Sequence, residues 1–172
     1  MLVNLSDVLK TEGRSIQKEI PLEMTCFDTG TESFEIMSKS PVSFLFTNAG
    51  PGKVKIEGNV TLSFRTGCDR CLEEVPTVLE LVFDRTAAPG TSADEEADEL
   101  SLADDCRLDV EAFVHDEILI HWPAKILCKD DCRGICPVCG QNRNIRECGC
   151  DTFVPDPRMA VIQDIFNKNK EV

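Results

Sequence analysis

The chain has 172 residues, 42% of them hydrophobic and 28% charged, values typical of one soluble globular domain with an appendage. Its formal net charge of −13 argues against sequence-independent binding to nucleic acid, which depends on many contacts between Lys or Arg and phosphates. The same charge suits a basic protein partner. The opening MLVNLSDVLKTEG lacks the regions of a signal peptide, and no stretch has the apolar length of a membrane span. We therefore expect a cytoplasmic protein without membrane contact.

Residues 1–86 show the alternating hydrophobicity of an antiparallel β domain. After a short helical turn at 4–10, the alternation predicts strands at 18–26, 33–38, 41–47 and 53–65. In the last of these, the even-numbered apolar residues share one face. A further alternating run from Val75 to Phe83 completes a long hairpin whose tip carries the sequence CDRC. Cys26 falls on the apolar face of its strand, which predicts a core position.

Residues 87–105 break this pattern with small residues, a Pro-Gly pair and seven carboxylates, and they predict a solvated acidic loop. From Asp109 the apolar spacing becomes helical, with Asp109 as the N-cap and Pro123 as the stop. A second helix is predicted in PDPRMAVIQDIF near the C-terminus. We interpret the two histidines, His115 and His121, as structural.

These patterns together predict an α+β fold. It comprises an antiparallel β-sheet, open or barrel-like, with packed helices and a C-terminal zinc-knuckle or ribbon-like module. The predicted boundaries are 1–86 for the β domain, 87–105 for the acidic loop, and 106–172 for a helix, the cysteine-rich module at 128–150 and the last helix.

Cysteines give the strongest functional signal. Six of the ten follow the spacing C-x3-C-x3-C-x2-C-x8-C-x-C between residues 128 and 150, and two more lie in CDRC. Closed structural zinc sites take four ligands, so eight thiolates predict two zinc ions. Local spacing suggests two sets of four, Cys136, Cys139, Cys148 and Cys150 in one, and Cys68, Cys71, Cys128 and Cys132 in the other.

Alternative uses of these cysteines are a disulfide framework, a thioredoxin-like active site and an iron centre. A cytosolic chain favours metal over disulfides, and no βαβ pattern follows either CxxC. The cysteine spacing differs from that of a ferredoxin, and this difference favours zinc over an iron–sulfur cluster. Iron is left open as an alternative.

A locally basic segment surrounds the cysteines. Residues 125–151 have a net charge of +1, whereas the whole chain is strongly acidic. If any surface meets RNA or a protein partner, this segment is the best candidate, through Lys125, Lys129, Arg133, Arg143 and Arg146. The alternative is that these side chains only solubilise a small metal knuckle.

The motifs CDRCL, DVEAFVHDEILIHWP, CKDDCRGICPVCGQNRN and CGC, followed by DPRMAVI, occur in an order that resembles the bacterial YceD family. The second set of cysteines is similar to that of Gram-positive members. The family commonly has GLCP and NLN where this chain has GICP and NRN, so the burial of Arg143 is open. The resemblance implies that both cysteine sets are metal-like positions, and it implies a role in accumulation and processing of large-subunit (23S) ribosomal RNA.

From this resemblance we expect a non-enzymatic assembly factor. Its partners would be a large ribosomal subunit precursor, the rRNA within it or a basic ribosomal protein, and no catalytic residues or small-molecule substrate are expected. A zinc-ribbon module for protein–protein interaction outside ribosomes is the alternative. A thiol-redox or zinc-relay protein is a third reading, which needs a labile thiolate.

Overall fold

A computed structural model describes residues 1–11, 13–89, 99–102, 106–151 and 162. In chain order the elements are β1 (Leu2–Asn4), α1 (Ser6–Leu9), β2 (Ser15–Ile20), β3 (Cys26–Asp28), β4 (Ser33–Lys39), β5 (Val42–Gly50), β6 (Lys53–Gly67), β7 (Glu74–Pro89), β8 (Glu99–Leu102), β9 (Arg107–Asp109) and α2 (Val110–His121). The chain divides into two compact units. The first contains Met1–Gly67 and Glu74–Ile126, and the second contains Cys68–Glu73 and Leu127–Val172.

The first unit is built on the long hairpin of β6 and β7. Strand β7 pairs with β6 along most of its length, from Val54↔Ala87 to Gly67↔Glu74. The other edge of β6 is shared, because β5 pairs with its first half and β4 with its second. Strands β2 and β3 extend the sheet beyond β5 and β4, and β8 pairs with β7.

This sheet is antiparallel except for the β7–β8 pair, and it is not closed into a barrel. Closure would require the outermost strands to pair with each other, and no such pairing occurs among the described residues. The barrel-like version of the predicted fold is therefore wrong, whereas the α+β class with an antiparallel sheet is confirmed.

The faces of the central strands follow the predicted alternation. In β6 the even-numbered apolar residues are buried, and Phe64 and Ile56 are fully inaccessible. In β5 the residues Val42, Phe44 and Phe46 are likewise buried. Successive side chains of a strand point to opposite faces, so a strand with one buried face shows alternating apolar and polar residues in its sequence.

Helix α2 packs on the inner face of the sheet. Its N-cap is Asp109, whose side chain accepts hydrogen bonds from the backbone N–H groups of Glu111 and Ala112. The Phe113 ring lies against Phe83 of β7 in an edge-on contact, with centroids 5.0 Å apart. The predicted helix, its cap and its packing on the sheet are confirmed.

A buried ion pair in the first unit was not predicted. Glu117 of α2 is only 2% exposed, and its carboxylate accepts hydrogen bonds from Nε and Nη2 of Arg85 at 2.6 and 3.2 Å. The two histidines have backbone partners, because a ring nitrogen of His115 lies 2.9 Å from the Asp28 carbonyl and one of His121 lies 2.9 Å from that of Glu117.

Two sequence-based predictions differ from the structure. Cys26 is exposed, because the coil between β2 and β3 resets the alternation and Phe27 takes the core position instead. Within the predicted acidic loop, residues 87–89 continue β7, and Glu99–Leu102 forms a strand whose parallel partner is β7. Backbone pairing of this kind is not encoded in the composition of the segment.

The predicted C-terminal helix lies outside the described residues, apart from Ile162. Among the described residues, no helix has both the length and the apolar character needed to cross a membrane.

Candidate metal centres

The second unit contains two groups of four cysteines. In each group the four Sγ atoms lie within 4.8 Å of one another. We call Cys68, Cys71, Cys128 and Cys132 the first quartet, and Cys136, Cys139, Cys148 and Cys150 the second quartet. These are the same two sets that the spacing suggests, and each could hold a metal ion.

Sulfur–sulfur distances in the first quartet match the size of a single tetrahedral ion. The Sγ atoms of Cys68 and Cys132 are 3.8 Å apart, and those of Cys71 and Cys128 are 3.5 Å apart. With Zn–S bonds of about 2.3 Å, tetrahedral geometry requires sulfur–sulfur edges of about 3.8 Å. A disulfide would need about 2.05 Å, and all ten cysteines are free thiols. The spacing therefore fits a mononuclear metal site.

The CDRC segment forms a tight knuckle. The backbone N–H of Cys68 donates to the carbonyl of Glu73 at 2.8 Å, and the N–H of Leu72 donates to the carbonyl of Cys68 at 2.9 Å. Leu72 adopts a φ of 62°, a left-handed conformation that is costly for a residue with a Cβ. This turn brings Cys71 back towards Cys68, as a pair of ligands on one ion requires.

The CPVC segment of the second quartet has the same hydrogen-bond pattern. The N–H of Cys136 donates to the carbonyl of Gln141, and the N–H of Gly140 donates to the carbonyl of Cys136, both at 2.9 Å. Gly140 has a φ of 72°, at the position that Leu72 occupies in the first knuckle. Glycine adopts this conformation readily, so the second knuckle forms with less backbone strain.

The thiols of the first quartet have strongly divergent pKa values. Burial raises the pKa of Cys68, but hydrogen bonds from the backbone N–H groups of Cys128, Arg70 and Cys71 outweigh it and lower the pKa to about 6. Burial and the neighbouring thiols, Cys71 first, raise the pKa of Cys128 to about 12. Four thiols this close do not all ionise unaided, and a divalent cation would remove the repulsion between them.

The second quartet repeats this divergence. Backbone N–H groups of Cys139 and Val138 lower the pKa of Cys136 to about 6. The Cys139 thiol, followed by burial, raises the pKa of Cys150 to about 12. In both knuckles, therefore, backbone N–H groups favour the thiolate form of the leading cysteine, and in the first knuckle the N–H of Cys128 acts together with those of the turn itself. The donor set in each quartet consists of sulfur alone, which suits zinc.

In the described part of the second unit, the buried residues do not form a core of aliphatic and aromatic side chains. These buried residues are Gly134 and four cysteines, Cys68, Cys71, Cys132 and Cys136. Among the described residues of this unit, no aliphatic or aromatic side chain belongs to the hydrophobic core cluster. A segment that buries so little hydrocarbon needs another source of stability, and metal binding supplies it in small domains.

The two quartets are linked by hydrogen bonds. Asn144 lies in the loop between Cys139 and Cys148, yet its Nδ2 donates to Sγ of Cys132 at 3.2 Å. Its Oδ1 also accepts the backbone N–H of Arg133 at 2.8 Å. Asn144 therefore supports a ligand of the first quartet from within the loop of the second.

Two further contacts join the same segments. Asn142 Nδ2 donates to Oε1 of Glu73 at 2.9 Å, and Arg70 Nη1 donates to the carbonyl of Cys132 at 2.7 Å. Gly134, with a φ of 71°, passes so close to Arg70 that an added Cβ would lie 2.8 Å from its carbonyl oxygen. These supporting residues were not predicted. The sequence shows only that polar residues occur in the cysteine-rich turns. It does not show which groups these residues contact.

The five candidate contact residues, Lys125, Lys129, Arg133, Arg143 and Arg146, are all exposed. Lys125 belongs to the first unit and the other four belong to the second. The position of Arg143, which the sequence left open, is therefore on the surface.

Comparisons with known proteins agree with these features. Residues 56–166, which include both quartets, match the family described as Large ribosomal RNA subunit accumulation protein YceD. Three uncharacterized proteins, one from Mycobacterium bovis and two from Mycobacterium tuberculosis strains CDC 1551 and H37Rv, are each 31% identical over 90 residues. The match covers 51% of the chain and 44% of each relative, so the chain spans less than half of their length. No solved structure matches the chain.

Proposed function

The chain belongs to the YceD family of large ribosomal RNA subunit accumulation proteins, and from this membership we propose that it is a zinc-binding factor in the accumulation and processing of 23S rRNA. In this role it acts in the cytoplasm on a large ribosomal subunit precursor and contacts either the rRNA or a basic ribosomal protein. The observation that carries the proposal is the pair of cysteine quartets inside the segment that defines the family.

Zinc is the proposed ion for both quartets, and the residues that would hold it are the eight cysteines. Bound zinc would act as a structural cross-link rather than as a reactive centre. All four Sγ atoms of each quartet lie within 4.8 Å of one another, which supports a single ion, because an iron–sulfur cluster separates the cysteine sulfurs on different irons by more than this.

We assign no catalytic step to the protein. A catalytic zinc site keeps one coordination position open for water or substrate, whereas four cysteines fill all four positions. Among the described residues, the groups that could hold a metal ion are these two sets of thiols. The proposed activity is therefore binding, with the metal sites fixing the surface that binds.

Depletion of the protein in its own host tests this proposal. We expect 23S rRNA to fall relative to 16S rRNA and to recover when the wild-type chain is supplied. A Cys71→Ser, Cys139→Ser double variant removes one ligand from each quartet and should not restore the 23S rRNA. Cys26→Ser is the matched control, because Cys26 is an exposed thiol outside both quartets.

Metal analysis of the purified protein tests the zinc sites separately. Two zinc ions per chain are expected for the wild type and for Cys26→Ser. Normal 23S rRNA levels in the depleted strain would contradict the ribosomal role, and a metal-free protein with full activity would contradict the zinc sites.

A protein-interaction module outside ribosomes is the second candidate function. It is favoured by exposed aliphatic side chains in the second unit, among them Leu72, Val138 and Ile145, which are 72%, 58% and 74% accessible. Exposed apolar side chains are used at protein interfaces. Purification of the tagged chain with its partners distinguishes the two functions, because only the ribosomal role predicts sedimentation with large-subunit precursors.

A further inference from the structure

Four exposed cations in the described part of the second unit fall into two classes, and a fifth, Arg70, already donates to the carbonyl of Cys132 at 2.7 Å. Lys129 Nζ lies 3.8 Å from Oδ1 of Asp131, and Arg133 Nη1 lies 2.5 Å from Oε1 of Glu147. Each of these two cations has a carboxylate that compensates its charge. A phosphate would have to compete with that carboxylate, so neither cation is well placed to bind one.

Arg143 and Arg146 form the other class. Their side chains are exposed, and neither makes a side-chain hydrogen bond or ion pair with another residue in the described ranges. Arginine suits phosphate because its planar guanidinium offers parallel N–H donors. These two residues therefore retain the capacity to bind an anion.

The two arginines lie on a single turn of the chain. The backbone N–H groups of Ile145 and Arg146 both donate to the carbonyl of Asn142 at 3.2 Å. Residues three positions apart on such a turn are neighbours on its surface. Arg143 and Arg146 are thus three positions apart on one turn, a spacing that allows both to contact the same RNA strand.

This turn is held at several points. The backbone N–H of Arg143 donates to the carbonyl of Gly134 at 2.9 Å, and the Asn142 side chain donates to Glu73. The turn also lies between Cys139 and Cys148 of the second quartet. A turn that is ordered before binding loses less conformational entropy when a ligand arrives.

Charge is unevenly divided between the two units. The first unit has 10 basic and 22 acidic residues, a net charge of −12, whereas the second has 8 basic and 9 acidic residues, a net charge of −1. Metal-bound thiolates would add further negative charge to the second unit. Binding to RNA therefore needs cations that no neighbouring carboxylate compensates, and within the described part of the second unit Arg143 and Arg146 meet this condition.

We propose that Arg143 and Arg146 are the RNA-binding surface of the second unit and that they bind phosphates of the large-subunit rRNA backbone. This inference rests on the proposed function and adds the partner chemistry and the residues. Because phosphates are the same at every nucleotide, contacts to them position the protein on RNA without reading the base sequence.

The test measures the salt dependence of binding to RNA. The zinc-loaded full chain is titrated against overlapping transcripts that together cover 23S rRNA, at several salt concentrations. The test variant is R143Q/R146Q. The matched control is K129Q/R133Q, which removes the same number of charges from the same unit but only from cations that already have partners. Zinc content is measured for both variants to verify that the quartets are intact.

We expect the wild type and the control to bind one or more transcripts with the same dependence on salt. The slope of log affinity against log salt should be smaller by about one for each arginine removed, hence by about two in R143Q/R146Q. An unchanged slope in this variant, or an equal loss in both variants, would overturn the proposal.

Failure of the inference differs from failure of the proposed function. If no transcript binds but a ribosomal protein of the large subunit does, the RNA surface is wrong while the ribosomal role stands. If depletion leaves 23S rRNA unchanged, the proposed function itself is wrong, whatever the arginines bind.

Discussion

Replacing Asn144 with alanine should weaken metal binding at the first quartet, although Asn144 lies within the segment of the second quartet. The side chain donates a hydrogen bond to Cys132 Sγ at 3.2 Å, although it lies in the loop between Cys139 and Cys148. Hydrogen bonds to charged groups contribute about 1.5–3 kcal/mol. Loss of a residue that supports a metal ligand typically costs 10- to 100-fold in affinity, equivalent to about 1.4–2.7 kcal/mol. Both estimates predict a measurable effect at the first quartet.

Competition with a chromophoric chelator would measure this effect. The two release steps are assigned with Cys139→Ser, which leaves only the first quartet complete. Gln141→Ala is the control, because Gln141 lies in the same loop and its Nε2 donates only to the carbonyl of Asn142, at 3.4 Å. We expect Asn144→Ala to release the ion of the first quartet at a 10- to 100-fold lower chelator concentration, and Gln141→Ala to behave as wild type.

An Asn144→Asp variant separates the two roles of this side chain. It keeps an oxygen for the backbone N–H of Arg133 but replaces the N–H donor to Cys132 with a carboxylate oxygen. We expect it to release metal at least as readily as Asn144→Ala. Retention of wild-type affinity by both variants, or loss confined to the second quartet, would refute the reasoning.

The remaining predictions concern the ligands, the buried ion pair and one crowded glycine. Cys136→Ser should raise the rate of amide hydrogen exchange only in the second unit. Cys71→Ser should also raise it in the sheet, because the link between Cys71 and Cys128 closes a loop across 57 positions. Similar exchange patterns in the two variants would contradict the ligand grouping. Arg85→Gln should lower the free energy of unfolding by about 3–5 kcal/mol, because it leaves the buried Glu117 carboxylate without its guanidinium partner. Glu117→Gln should cost less, since Arg85 is 31% exposed, and urea unfolding would reveal the reverse order if this argument is wrong. Gly58→Ala should cost about 1–3 kcal/mol, because the new Cβ would lie 2.1 Å from a backbone oxygen; an unchanged melting temperature would show that the strand adjusts freely.

Local patterns explain what could be predicted. The buried face of β6 follows from alternation within one strand, and the start of α2 follows from Asp109 and the apolar spacing behind it. Grouping of the second quartet is also local, since its four cysteines lie within 15 residues. The first quartet was inferred mainly because its four cysteines were left over once the second quartet had been grouped. The structure places its sulfurs together across the long segment between Cys71 and Cys128.

Contacts that depend on distant partners could not be predicted. Glu117 interrupts an apolar helical face, and its burial is explained only by Arg85, which lies 32 positions earlier. Asn144 is an ordinary loop residue until the position of Cys132 is known. Cys26 shows a different limit, because a short coil shifts the phase of an alternating pattern that looks continuous in sequence.

The scarcity of buried hydrocarbon in the described part of the second unit has a consequence for how the protein would respond to zinc supply. If folding of this unit depends on both ions, the ratio of folded to unfolded molecules varies with the square of the free zinc concentration wherever that concentration is well above the dissociation constant of each site. A threefold fall in free zinc would then reduce this ratio about ninefold, while the sheet of the first unit keeps its own apolar core. The arginine turn between Cys139 and Cys148 would form or melt with the unit, so the amount of binding-competent protein would follow the metal status of the cell.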